Sequence, residues 1–441
     1  MILTIRSRKL SVLKPKRFPY GSTIHSTKLS KNSPTENIPA LERVYISLSQ
    51  HIGAPATPTV SVGDKVKKGT LIGKASGAVS ANIYSSVSGT VAEIRDIVNG
   101  LCQKQTYIVI DNDFTGAEEL LPPMKTFEPQ DIIDRIRLAG IVGLGGAGFP
   151  TAIKLSPKTP LDTLIINGAE CEPYLTCDDR LMRERTKDIH AGINYFAHAL
   201  NVKRVIIGIE LNKPQAIKAF SEFADLDVVA LKKHYPMGSE KHLIYVTTGR
   251  KVPVGKMPMD VGCSVQNIKT VLAAFDAIEH NKPLTEAHVT VSGYGIKAPK
   301  NLCVPVGTPY SELIEYCDGK SDDTVKIVAG GPMMGKALTN LDMYVKKSDS
   351  GILCLKNTET STVNPTNCIN CGVCAKNCPM RLMPMYIESY ALSGDYKNAE
   401  RYGALNCIEC GLCAFNCPAK RALVQSITLA KSKIREMKNG K

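Results

Sequence analysis

The phrase Cys368-Ile-Asn-Cys371-Gly-Val-Cys374-Ala-Lys-Asn-Cys378, followed by Pro379, is written a second time as Cys407-Ile-Glu-Cys410-Gly-Leu-Cys413-Ala-Phe-Asn-Cys417, followed by Pro418. A C-x2-C-x2-C run curls the backbone so that three thiolates converge on one cubane, while the fourth Cys, before Pro, serves the other. The spacing therefore predicts two 4Fe-4S centres. One is held by Cys368, Cys371, Cys374 and Cys417, the other by Cys407, Cys410, Cys413 and Cys378. Zinc knuckles and structural disulfides are the competing readings. Zinc is satisfied by four ligands and commonly mixes in His, whereas these cysteines form two matched sets with Gly372 and Gly411 at the same internal position. No signal-peptide pattern opens the sequence, so the expectation is a reduced, cytoplasmic setting without disulfides.

Each such cluster passes one electron at a time, so the paired motif predicts a relay. Between the motifs, Met385, Tyr386 and Glu388 to Leu392 form one helical pattern and Tyr396 to Leu405 another, broken at Ser393-Gly394-Asp395. The expectation is a helical ferredoxin-like module. A chain of 441 residues with 43% apolar and 22% charged residues is too long for a relay alone and predicts about three domains with their own cores. No apolar run reaches the length of about 18 residues that crosses a bilayer. The formal charge of +14 is concentrated at both ends, in Arg6, Arg8, Lys9, Lys14, Lys16 and Arg17 and again in Lys431, Lys433, Arg435, Lys438 and Lys441. Solvated tails, an anionic membrane surface or acidic partners fit that balance; without Trp or a nucleic-acid motif, nucleic acid does not.

Residues 1–38 are basic, rich in Ser and Pro, and without periodicity, which reads as an irregular arm. From Glu42 short β-branched strands alternate with Gly turns: Arg43 to Leu48, Val60 to Gly69, Ser85 to Ile94 and Thr106 to Ile110. The phrase V-G-D-x-V-x-x-G followed by S-x-x-S-G-x-V resembles the hairpins of a lipoyl- or biotinyl-type barrel. The turn where a carrier would place its Lys, Ala81 to Gly89, has none, so a structural barrel is expected.

An amphipathic helix with Asp131 near its start and Ile132, Ile133, Ile136 and Leu138 along it runs into Gly143-Leu-Gly145-Gly146-Ala-Gly148-Phe-Pro150-Thr151. Glycines this dense let backbone N–H groups approach phosphate oxygens. A helix precedes the loop where the dinucleotide fingerprint has a strand. The strand at Leu164-Ile-Ile then ends in Asn167-Gly-Ala-Glu170-Cys-Glu172-Pro173, and Arg204 to Ile209 is followed by Glu210, Asn212 and a helix from Pro214 to about Ala224. The alternation is that of an α/β sheet, which binds ligands at the carboxyl ends of its strands.

Gly145 to Thr151 with Lys154, then Asn167 to Pro173, then Tyr235-Pro-Met-Gly238-Ser-Glu240, then Gln266-Asn267 with Thr270, are similar in order and spacing to the NADH- and FMN-binding subunit of respiratory complex I. With Ser49-Gln-His51-Ile-Gly-Ala-Pro55, the barrel and the paired Cys motifs, residues 40 to 420 resemble the C subunits of Rnf complexes, which couple NADH and ferredoxin to ion transport. The resemblance implies that Gly143, Gly145, Gly146 and Gly148 face FMN or nicotinamide phosphates, and that Lys154 neutralises the FMN phosphate. It further implies that Asn167, Glu170, Asn267 and Thr270 line the flavin, while Gly238 and Glu240 help place NADH. A flavin is also required chemically, because NADH gives two electrons together and a 4Fe-4S centre takes one; no protein acid or base need be catalytic.

The order Thr290 to Gly295, Asn301 to Gly307, a helix from Pro309 to Cys317 and Val325 to Gly335 resembles a soluble-ligand-binding β-grasp domain that packs flavin and cluster domains together. Cys102, Cys171, Cys177, Cys263, Cys303, Cys317 and Cys354 read as buried thiols; of the His residues, His51 stands in a motif. The expected fold class is multidomain α/β and α+β. Its parts are a basic arm (1–38), a lipoyl-like barrel-sandwich (39–120), an FMN/NADH-binding α/β domain (127–284), a β-grasp domain (285–352), a two-cluster ferredoxin-like domain (360–425) and a basic C-terminal tail (426–441), with a helix from Ala422 to Met437 that either packs on the cluster module or meets lipid. The expected function is a peripheral NADH-oxidising subunit on the cytoplasmic face of the membrane. It passes electrons through FMN and two 4Fe-4S clusters to the other subunits of an Rnf-type complex, and through them to ferredoxin. A stand-alone NADH-dependent reductase, cobalamin-reductase-like, and a flavin-free relay scaffold are the alternatives.

Overall fold

The computed structural model describes residues 16–360 and 364–439; Arg6, Arg8, Lys9, Lys14 and Lys441 lie outside the described residues. Alternating apolar residues in Arg43–Ser47, Gly89–Val98 and Lys104–Asn112 pair antiparallel, with Lys65–Val66 at the edge, and face a second small sheet of Thr57–Pro58, Leu71–Lys74 and Ile83–Tyr84. The result is a barrel-sandwich. The turn where a carrier would expose its Lys is instead buried: Ser86 Oγ donates to the Val306 carbonyl at 2.6 Å, and Tyr84 donates to the Leu138 carbonyl of the next domain.

The α/β domain carries a four-stranded parallel sheet in the order Asp227–Leu231, Arg204–Glu210, Thr163–Gly168, Cys263–Asn267. The first strand in sequence, Thr163–Gly168, is central. The chain goes to one side for the next two strands and returns to the other side for Cys263–Asn267, so the strand order reverses there and opens a crevice at the carboxyl ends. Register places Asn167 directly beside Asn267 at that end. The amphipathic helix is Pro129–Leu138, with Ile132, Ile133 and Ile136 buried and Leu138 exposed. The helix after the second strand is Pro214–Phe220.

Three boundaries differ from the sequence reading. The arm is no free segment: Phe18 and Ser30 are buried, and Thr35–Asn37 pairs parallel with Lys300–Pro305 as an edge strand of the β-grasp sheet. That sheet runs past 352, because Gly351–Lys356 is a central strand between Glu286–Ser292 and Thr324–Ala329. The residues set apart as a tail from 426 belong to the expected C-terminal helix, here Leu423–Asn439, whose Ile427, Ala430 and Ile434 pack on the cluster module against Ile387, Ala391 and Ala399. Even its Lys431 is 7% exposed, donating to the Cys407 carbonyl at 2.9 Å and pairing with Glu409. An apolar stripe at helical spacing overrides the charge count here.

One buried cation joins three domains. Lys347, after the helix of the β-grasp domain, donates to the carbonyls of Asn82 in the barrel at 2.6 Å and Gly140 in the α/β domain at 2.8 Å. Burial pushes its pKa down to about 7. No helix among the described residues is long and apolar enough to cross a membrane.

Candidate functional site

The glycine loop closes on itself through the Gly143 N–H, which donates to the Phe149 carbonyl at 2.9 Å. Its glycines do different work. Gly148 has φ +72°, a conformation that L side chains rarely adopt, and packs 3.2 Å (from an added Cβ) against the backbone of Gln50 and His51 at the barrel's edge. At Gly145 a Cβ would lie 2.5 Å from Asn267 Nδ2, whereas at Gly146 it would meet nothing within 4 Å. Alanine at Gly145 is therefore expected to displace Asn267, costing about 1–3 kcal/mol and most of the flavin retained on purification. Alanine at Gly146 is expected to stay within about 0.5 kcal/mol. Thermal unfolding and released-flavin analysis of the two variants check this.

Gly145, Asn167, Glu170, Gly238, Glu240 and Asn267 come together along one cleft with about 980 Å³ of empty space. Asn267 caps the helix Ile268–Glu279 by accepting from the Lys269 N–H at 2.8 Å, and its Nδ2 donates to Asp178 at 2.9 Å. Asn167 Nδ2 donates to the Gly238 carbonyl at 2.9 Å. Lys154 and Glu240 pair with each other at 2.8 Å, and Lys154 also donates to the Val265 carbonyl. Thr270 departs from its expected place: it is fully buried behind the loop, where its Oγ1 accepts from the Leu144 N–H at 2.9 Å. Gly143, Gly146 and Gly148 shape the loop without lining the cleft. His51 is held within the barrel, accepting from the Ala81 N–H at 3.1 Å.

Sequence reasoning missed the charge set beneath Glu170. This carboxylate, 4% exposed, accepts from the Asp178 N–H at 2.7 Å and lies 3.8 Å from Lys28 and 4.0 Å from Lys213, which in turn lies 3.6 Å from Glu210. Burial raises the Glu170 pKa above the usual carboxylate range and lowers that of Lys28, so both are drawn towards neutrality. Lys28 additionally donates to the carbonyls of Glu170, Glu172 and Leu175. Glu210 stood beside the second strand in the sequence; nothing in the aperiodic arm singled out Lys28. Cys171 and Cys177 flank Glu170, and burial pushes both thiols up to about 12.

The duplicated motif folds twice into one backbone. Asn370 and Glu409, Gly372 and Gly411, and Arg381 and Lys420 all take positive φ, with short helices at Val373–Lys376 and Leu412–Phe415. Cys378, Cys407, Cys410 and Cys413 line one apolar cavity of about 350 Å³; Cys368, Cys371, Cys374 and Cys417 line another of about 370 Å³. The fourth Cys of each motif has crossed over. The N–H groups of Leu382 and Glu409 donate to Cys378 and Cys407 Sγ at 3.4 and 3.3 Å.

The cleft and one of the cysteine cages touch. Ile408 and Cys410 belong to the cleft wall, Tyr235 donates to the Cys410 carbonyl at 2.8 Å, and His242 Nε2 meets the Pro379 carbonyl at 3.1 Å. Each of these contacts falls on the Cys378–Cys407–Cys410–Cys413 set. Cys368 and Cys371 are exposed.

Family models match in the same order: the RnfC barrel sandwich hybrid domain over residues 16–115, the Nuo51 FMN-binding domain over 136–276, the SLBB domain over 288–337 and the 4Fe-4S dicluster domain over 361–418. An FMN-binding domain joined to a dicluster domain defines a flavin and iron–sulfur electron-transfer protein. The chain belongs to the family of C subunits of the Rnf complexes, the ion-translocating ferredoxin:NAD+ oxidoreductases. It is 46% identical over 425 residues to the C subunit of the proton-translocating complex of Clostridium ljungdahlii, covering 93% of this chain and 92% of that one. It is 44% identical to the C subunit of the Rhodobacter capsulatus complex (94% and 82%) and 40% identical to that of the Na+-translocating complex of Acetobacterium woodii (89% and 91%). Among solved structures, an NAD+-reducing NiFe hydrogenase in the air-oxidized state shares the fold, with a TM-score of 0.51 at 17% identity, covering 70% of this chain and 66% of that one.

Proposed function

We propose that this chain oxidises NADH at the cleft and delivers the electrons singly through two 4Fe-4S clusters, one in each cysteine cage. The observation that carries the reading is the junction itself: the cage of Cys378, Cys407, Cys410 and Cys413 forms part of the cleft wall, while the cage of Cys368, Cys371, Cys374 and Cys417 has two exposed ligands. That order, inner cage then outer cage, leads from cleft to surface. FMN, when bound, supplies the conversion between a two-electron donor and one-electron acceptors. The chain's own residues bind and orient. Gly145 on the cleft wall offers its backbone to the phosphate, and Lys154, held by the cleft residue Glu240, neutralises it. Asn167 and Asn267 present amides at the sheet's reversal point. Glu170, held by the Asp178 N–H and the two lysines, keeps a carboxyl poised between charge states beside the flavin. Glu240 and Gly238 place NADH.

The relatives are named as subunits of ferredoxin:NAD+ oxidoreductase complexes; on this reading the chain lies on the cytoplasmic face and exchanges electrons with ferredoxin through the other Rnf subunits. The test is anaerobic purification, with iron, acid-labile sulfide and flavin analysis and spectra before and after NADH. About eight iron per chain with FMN that bleaches on NADH is the expected result. Eight iron with no flavin, even after reconstitution with FMN, overturns it.

A further inference from the structure

The sequence places two carboxylates around Cys171, and the structure gives them separate tasks. Glu170 faces the lysines, whereas Glu172 leaves the α/β domain and grips a loop of the β-grasp domain: its Oε2 accepts from the Met333 N–H at 3.1 Å and its Oε1 from the Met334 N–H at 2.9 Å. The approach is close: a Cβ at Gly331 would meet the Glu172 carboxylate and push it from its seat. Tyr235, 2% exposed, stands beside this grip. Its hydroxyl donates to the Cys410 carbonyl at 2.8 Å and lies 3.4 Å from Glu172 Oε1. The gripped loop in turn presses on the cysteine motif, since a Cβ at Gly411 would run into the Met333 carbonyl. Internal duplication supplies the control. Gly372 occupies the same position in the other motif with the same positive φ, and an added Cβ there meets nothing within 4 Å. The contact at Gly411 is thus a property of the junction, not of the cysteine fold.

We propose that Tyr235 and Glu172 form a latch that holds the Cys407–Cys413 loop against the cleft and fixes the separation across which electrons pass between cleft and inner cage. Tyr235 is a positioning residue for that transfer. The inference rests on the electron path proposed above and adds what sets its narrowest step: a phenol and a carboxylate from one domain, closing on backbone groups of two others. Tyr235→Phe keeps the ring in its apolar setting beside Ile24 and Leu412 and removes the donor alone. Glu172→Gln removes the charge and leaves one oxygen to serve two N–H groups.

Both variants are made in the full chain, loaded with iron, sulfide and FMN, and mixed with NADH in stopped flow, reading flavin bleaching and cluster reduction in the same trace. The ratio of cluster reduction rate to flavin bleaching rate is expected to fall several-fold in Tyr235→Phe, because electron transfer slows exponentially as the separation between cleft and inner cage grows. The EPR signal of the inner cluster shifts while that of the outer one does not. In amide exchange, protection at Met333 and Met334 is expected to fall about fivefold in Glu172→Gln, the worth of a net hydrogen bond. An unchanged rate ratio with unchanged protection overturns the latch. A flavin that never bleaches, in wild type as well, overturns the NADH reading instead, and the exchange measurement then still decides whether the latch exists.

Discussion

Lys28→Met is expected to destabilise the docked arm and the flavin cleft together, by about 3–5 kcal/mol at pH 8, the cost of stripping a buried ion pair of one member. The ammonium of Lys28 is hydrogen-bonded to three carbonyls of the segment that carries Glu170 and Glu172, and it balances a buried set of two lysines and two glutamates. Methionine fills the space but leaves three carbonyls without a donor and one negative charge in excess. The sign with pH follows from Glu170. Burial already raises its folded pKa above the ordinary carboxylate value, and removing Lys28 raises it further. Between the unfolded and folded values the folded state binds more protons, so stability falls as pH rises through that window. The deficit of the variant is therefore smallest near pH 5, where Glu170 is protonated, and grows towards pH 8. Urea unfolding of variant and wild type at both values, with flavin retention measured alongside, checks magnitude and sign. Lys31→Met, on the same arm but outside that ion set, is the comparison. An equal loss in both variants, or a deficit independent of pH, refutes the account.

What could be read from the sequence was local. The cysteine cages were legible because ligand geometry is encoded within each C-x2-C-x2-C run, including the crossing of Cys378 and Cys417, which the cavities reproduce. The α/β alternation was legible for the same reason: each β-branched run and each amphipathic helix carries its own period. Contacts between distant segments carry no such mark. Lys28 meets residues some 142 positions away through backbone carbonyls, which have no side-chain identity to recognise. The family resemblance puts Thr270 at the cleft, yet the turn of its helix directs its hydroxyl to the Leu144 N–H. The C-terminal helix is legible in its spacing but its partner is not, because its lysines fit lipid as well as protein; Ile427, Ala430 and Ile434 pack it on the cluster module. Tyr235 and Glu172 lay inside motifs already singled out, but their shared task appears only when three domains meet.

On the proposed electron path, substituting one cysteine in each cage separates the two positions of the relay, with the largest effect expected on electron delivery. Cys413 is buried in the inner cage, Cys374 in the outer one. Serine at either position removes a thiolate from a four-cysteine set, so each variant should lose one cluster, seen as about half the iron, and nearly all NADH-driven reduction of an acceptor that docks at the surface. The difference lies in what NADH still reduces. In Cys374→Ser the inner cluster remains beside the cleft and should give its EPR signal within the first turnover. In Cys413→Ser the outer cluster is intact but cut off, and should stay oxidised with NADH while accepting electrons from dithionite. Ferricyanide, which takes electrons from flavin, should be reduced by both, so a loss there would mean damage to the cleft rather than to the relay. If the outer cluster of Cys413→Ser is reduced by NADH as fast as in wild type, electrons reach it by another route and the serial order is wrong. The serial order follows from where the chain puts its walls: Ile408 and Cys410 against the cleft, and their counterparts Ile369 and Cys371 out in solvent.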